Sequence, residues 1–146
     1  MSESLRRLIL GAGGVLLILL GILHLAVTPL IAGFVVRSTL PASTRWLLPP
    51  MLLNHVVVGL LLLPLGATTL FAAGPASRGE GWALVVSRLS AVGVATLPVS
   101  VFVLMGRQYF AAIPFLVATV IVCLAAAALV AAAFWPASRA GRERPT

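Results

Sequence analysis

The sequence predicts an all-α integral membrane protein with four transmembrane helices in an up-down-up-down bundle. Three observations predict it. Apolar residues make up 61% of the 146 residues and charged residues 9%, with a mean hydropathy of +1.15, whereas soluble domains hold roughly 45–50% apolar and 25% charged residues. The apolar residues are gathered into four runs, each longer than the ~20 residues needed to cross a bilayer as a helix. Nine of the ten arginines and all three glutamates lie outside those runs.

The first run follows Arg6-Arg7 and spans about 8–36, interrupted by His24, Thr28 and Pro29. A secretory signal has an apolar region of about 7–15 residues, so this longer run reads as a retained helix, tilted or kinked near Pro29. The connector RSTLPASTRW leads to Pro49-Pro50, which suit a helix start because the missing N–H is not needed in the first turn. The second span covers about 48–73 and is closed by GPASRGEG, a cluster of turn formers. Trp82 opens the third span, about 82–105, at the depth where aromatic residues favour the membrane interface. GRQYFAA forms a short third loop, and the fourth span runs over about 113–135. The whole reads as a single four-span domain followed by a basic, disordered tail at 136–146.

Charge sets orientation and partners. The chain has ten arginines, no lysine, and three acids at Glu3, Glu80 and Glu143. With Arg88 left aside as lying within the third span, six arginines fall on the side of the termini and three on the other. Cytoplasmic loops are enriched in positive charge, so both termini are expected inside a bacterial cytoplasmic membrane. The formal charge of +7 is accounted for by anionic lipid headgroups. Nucleic acid is not an expected partner, because no separate basic domain exists. Cys123 stands alone, which excludes an internal disulfide and reads as a small apolar side chain.

Intramembrane polar residues are costly and are candidates for function. Arg88 lies six residues beyond Trp82 and can extend its side chain to the interface. His24 and His55 have a stronger pattern. Each is eleven residues from a glycine of its own span, Gly13 and Gly66, close to three helical turns and therefore on one face. Opposed residues of an antiparallel hairpin share one sum of residue numbers. His24 with His55 and Gly13 with Gly66 share 79, and Gly21 with Gly59 falls within one of it. Small residues at such positions allow close approach. The sequence thus predicts a tight first hairpin with a histidine pair roughly 16 Å from the Gly13–Gly66 contact.

Asn54, Thr28 and the third-loop residues Arg107, Gln108 and Tyr109 gather at the same end. As a site, this set could hold a metal, a haem, a quinone or a small polar ligand through neutral imidazole. As structure, His24, Asn54 and His55 would hydrogen-bond one another and lock the hairpin. A haem held between both histidines conflicts with glycine contact, and two histidines without a carboxylate or thiolate leave a metal incompletely ligated. No cofactor is identified.

No span contains an acid for a proton relay. There is no lysine to act as a base, no G-x-S-x-G or H-E-x-x-H motif, and no phosphate loop. The expected role is non-catalytic: an accessory component that packs on a second copy or another membrane protein through the alanine-rich fourth span. The alternatives are a membrane protein that binds a redox cofactor or ligand through His24 and His55, and a small transporter or channel. The polar residues of the last two spans, Ser87, Ser90, Thr96, Ser100 and Thr119, make a sparse path for the latter.

Overall fold

A computed structural model describes residues 1–37, 48–105, 107–111 and 113–136. The expected connector beyond Arg37 and the basic tail lie outside the described residues. The chain is all-helical, with no strand among the described residues: α1 (Glu3–Arg37), α2 (Leu48–Ser77), α3 (Gly81–Leu104), α4 (Arg107–Ala111) and α5 (Ile113–Phe134). Four of these are long and apolar enough to cross a membrane, over Glu3–Gly33, Leu48–Ser77, Gly81–Leu104 and Leu116–Phe134.

Helix α1 begins five residues before the apolar run does. Ser2 supplies the reason: its hydroxyl accepts the Leu5 N–H at 3.2 Å and its carbonyl accepts the Arg6 N–H at 3.0 Å, satisfying donors that a helix start leaves open. Helix α2 also outlasts its apolar run, passing through Gly74 and Pro75 to Ser77. It stops at Gly79, whose φ of 84° suits a residue without Cβ. The Gly79 N–H donates to the Ala76 carbonyl and the Glu80 N–H to the Pro75 carbonyl, both at 3.1 Å, the paired bonds that close helices on a left-handed glycine.

The turn carries a small ionic cluster. Arg78 donates to Glu80 Oε1 at 2.7 Å, and Trp82 Nε1–H donates to Glu80 Oε2 at 3.1 Å. The Arg78 hydrogen bond, assisted by the one from Trp82, holds the Glu80 carboxyl below the ordinary glutamate range.

The chain divides into two compact units, Met1–Gly13 with Thr69–Thr146, and Gly14–Thr68. In the first, α3 packs on α5, and the short α4 also meets α5. Most residues buried there are small: Ala83, Ser87, Ser90, Ala91 and Val94 from α3, Ala126, Ala132 and Ala133 with Leu129 from α5, and Thr69, Ala72, Ala73 and Ala76 from α2, with Arg6 and Leu10 of α1 buried among the larger ones. Gly13 belongs to this unit, and a Cβ there would run into the side chain of Leu129.

In the second unit the helix backbones themselves touch. A Cβ on Gly21 would lie 2.9 Å from the Gly59 carbonyl oxygen, and one on Gly59 would lie 3.0 Å from that of Gly21. At Gly66 the obstacle is backbone again, the Gly14 carbonyl oxygen at 2.7 Å and the Ile18 nitrogen at 2.8 Å. The residue opposite Gly66 is therefore Gly14, one position on from the expected Gly13. This agrees with the register of the Gly21–Gly59 contact, since both pairs share a residue-number sum of 80.

Two outcomes follow. Gly66→Ala and Gly21→Ala, which press a methyl group on immobile backbone, should each cost about 1–3 kcal/mol in reversible unfolding in detergent. Gly13→Ala, opposed by a leucine side chain, should cost less; equal losses at all three would refute the backbone contact. For the turn, a folded-state pKa below the unfolded one stabilises above the ordinary glutamate range, and this is lost as pH falls through the lowered value. Thermal stability should therefore drop in that acidic window for the wild type, and Glu80→Gln should flatten the drop.

Candidate functional site

The histidine pair lies within the unit Gly14–Thr68, where the glycine contacts bring α1 and α2 close enough for the two rings to meet. Their centroids are 4.8 Å apart and the ring planes are inclined by 35°. Both residues are half-buried. His24 Nδ1 is 2.9 Å from the Leu20 carbonyl oxygen, one turn back on its own helix. His55 Nδ1 reaches across to the His24 carbonyl oxygen at 3.2 Å and to Thr28 Oγ1 at 3.3 Å. Thr28 in turn donates its hydroxyl to the His24 carbonyl at 2.6 Å.

These contacts assign the protons. A carbonyl can only accept, so each Nδ1 carries hydrogen when it bonds one, and the remaining nitrogen of a neutral imidazole is an acceptor. In their neutral form both histidines are thus Nδ1–H tautomers. Each Nε2 keeps a lone pair with no hydrogen bond from the described residues. The arrangement ties the helices side chain to backbone, and it is also the orientation by which imidazoles are prepared to ligate through the opposite nitrogen.

Asn54 does not join the pair. It is exposed and bonds neither imidazole among the described residues; the rotation of about 100° from His55 carries it off the shared face. Its expected place is taken by Thr28, which lies one turn beyond His24. Arg107 and Tyr109 belong to the other unit. Tyr109 meets Phe110 edge-on at 5.3 Å, and the Arg107 side chain lies outside the described residues. Cys123 is a half-buried free thiol. Among the described residues, no group of three or more His, Cys, Asp or Glu is placed to hold a metal ion.

A haem with both histidines as axial ligands does not fit. Those ligands must stand on opposite faces of a porphyrin, and imidazoles with centroids 4.8 Å apart leave no slot for one.

Sequence reasoning passed over Arg6, which reads as a flanking charge. It is 4% exposed and binds the end of α5, donating from Nε to the Ala132 carbonyl at 2.8 Å and from Nη2 to the Trp135 carbonyl at 2.6 Å and the Ala133 carbonyl at 3.5 Å. The signal was the spacing Arg6, Leu10, Gly13, all buried, which puts the arginine on the packed stripe of a helix that starts at Glu3. Arg88 is exposed, as expected of an arginine near a span's end, and its Nε donates to the Ala133 carbonyl at 3.4 Å while its guanidinium sits 5.5 Å from the centre of the Phe134 ring.

No protein-family model, curated protein or solved structure matches this chain.

Thr28→Val removes the hydroxyl at nearly constant volume. It should lower stability by about 0.5–1.5 kcal/mol. Nitrogen NMR on labelled histidine should show Nδ1–H tautomers at both positions; an Nε2–H tautomer at either would contradict the assignment.

Proposed function

We propose that this chain is a multi-pass protein of a bacterial cytoplasmic membrane, its four long helices crossing up-down-up-down with both termini on the cytoplasmic side. We further propose that its role is non-catalytic, that of an accessory component which associates with a second copy or another membrane protein.

The observation that carries the membrane reading is where large and small residues lie. Leu8, Leu30, Leu61, Phe71, Leu89, Val103, Leu104 and Ile113 are all more than 60% exposed, while the interior is largely alanine, with Ser87, Ser90, Thr69 and Thr119. A water-soluble protein rarely tolerates such apolar surface, whereas in lipid, close packing of small residues drives helix association. The arginine bias supports the orientation. Association is supported by Ala127, Ala128 and Ala131, which stay exposed on α5 and offer a smooth helical face.

The histidine pair supports a structural role, since its Nδ1 hydrogens and the Thr28 hydroxyl are spent on backbone carbonyls of the same hairpin. A second reading rests on one specific observation, the two Nε2 lone pairs without hydrogen bonds among the described residues. They suit a late first-row metal ion, with water or a partner completing its shell.

Reporter fusions after residues 41 and 146 should read outside and inside; the reverse pattern would overturn the orientation. Purified protein should be colourless and metal-free, and a His24→Ala, His55→Ala double variant should lose thermal stability without losing a bound group. Stoichiometric metal that disappears in the double variant would replace the structural reading with the second.

A further inference from the structure

Two guanidinium groups converge at the end of α5 with no carboxylate partner among the described residues. Arg6 Nη2 and Arg88 Nε both point at the Ala133 carbonyl oxygen, at 3.5 and 3.4 Å. The sole ion pair among the described residues is Arg78 with Glu80, so neither arginine has a carboxylate partner there. The partial negative charge of a helix C-terminus is about half an elementary charge, which among the described residues leaves most of the two positive charges uncompensated. Arg6 is buried, but Arg88 is exposed, and among the described residues its Nη groups make no hydrogen bond.

An apolar groove of about 730 Å³ begins where Arg88 ends. It is lined on α3 by Val92, Ala95, Thr96, Val99 and Ser100 and on α5 by Val130 and Phe134. Phe134, over whose ring Arg88 lies, is shared by the charged and apolar parts. Arg88, Val92, Ala95 or Thr96, and Val99 follow one another at helical spacing of three and four residues, so the cation and groove form one stripe. From Arg88 to Ser100 that stripe is about 18 Å long at the helical rise, close to the ~15 Å of one leaflet of a bilayer's hydrocarbon core.

We infer that Arg88, reinforced by Arg6, and the groove from Val92 to Ser100 form a binding site for one anionic phospholipid. The phosphate accepts hydrogen bonds from the free Nη groups of Arg88, within the field of the buried Arg6, and an acyl chain lies along the groove over Val92, Ala95 and Val99. A free inorganic anion would use the arginine but not the apolar stripe. A zwitterionic lipid would use the stripe but place its own cation beside two arginines. The inference rests on the membrane reading above.

The test is native mass spectrometry of the full, delipidated chain in detergent, titrated with dioleoyl phosphatidylglycerol and, separately, dioleoyl phosphatidylcholine. The first phosphatidylglycerol should bind at least fivefold more tightly than the first phosphatidylcholine. Arg88→Gln should bring the two within about twofold, and Arg88→Lys should keep most of the preference. Ala95→Phe, which fills the groove without touching the charge, should weaken phosphatidylglycerol at least fivefold. Equal binding of the two lipids by the wild type, an undiminished preference in Arg88→Gln, or full displacement by millimolar inorganic phosphate would each overturn the site. Release of the protein from native membranes by alkaline carbonate would instead overturn the membrane reading. Retention there, without lipid preference, overturns the lipid site alone.

Discussion

The contact of backbone with backbone at Gly21–Gly59 and Gly14–Gly66 is the constraint on which the histidine hairpin depends. Side-chain-free helix faces allow the carbonyl oxygen of one helix to lie within 3 Å of where a Cβ of the other would stand. At that separation, two imidazoles projecting from facing positions meet, and His55 can reach a backbone carbonyl of α1 as well as the Thr28 hydroxyl. A pair of ordinary apolar helices, held apart by leucines, would leave those rings separated and their polar atoms unmet in an apolar setting, where an unmet polar group costs several kcal/mol.

The same economy of size shapes the other unit by different means. Alanine and serine, not glycine, line the contact of α3 with α5, and Ser87 Oγ is buried there without a hydrogen-bond partner among the described residues. At the end of this contact the carbonyls of α5 run out of helical partners, as the last four of any helix do. Arg6 and Arg88 supply the missing donors from two other helices. Their charge favours the negative end of the helix dipole yet exceeds it, which is why the place that completes a helix is also the place that attracts an anion.

Much of the histidine site was legible before any coordinates. The equal spacing of His24 from Gly13 and His55 from Gly66, with a common sum near 79, placed the two histidines opposite each other to within one residue, because a straight antiparallel helix pair has a single register. Asn54 shows the limit of that reasoning. Adjacency in sequence suggests company, but a helix turns each successive residue by about 100°, and the partner that counts is Thr28, a full turn from His24. Arg6 shows another limit. Hydropathy marks where apolar residues begin, whereas a helix begins where a cap permits it, and Ser2 moves that point upstream far enough to bury a charge.

The sequence by itself determined that the chain is helical, that four stretches are long and apolar enough to cross a bilayer, and that two histidines and several glycines share the faces of the first pair. These follow from composition and the period of the helix, which are local. Only the tertiary structure decided which atoms meet: the imidazole protons on backbone carbonyls, Gly66 on Gly14 in place of Gly13, and two arginines on one carbonyl of α5. Those choices depend on rotations and separations of whole helices, and a shift of one residue or one ångström, invisible to any pattern of hydropathy, changes the partner.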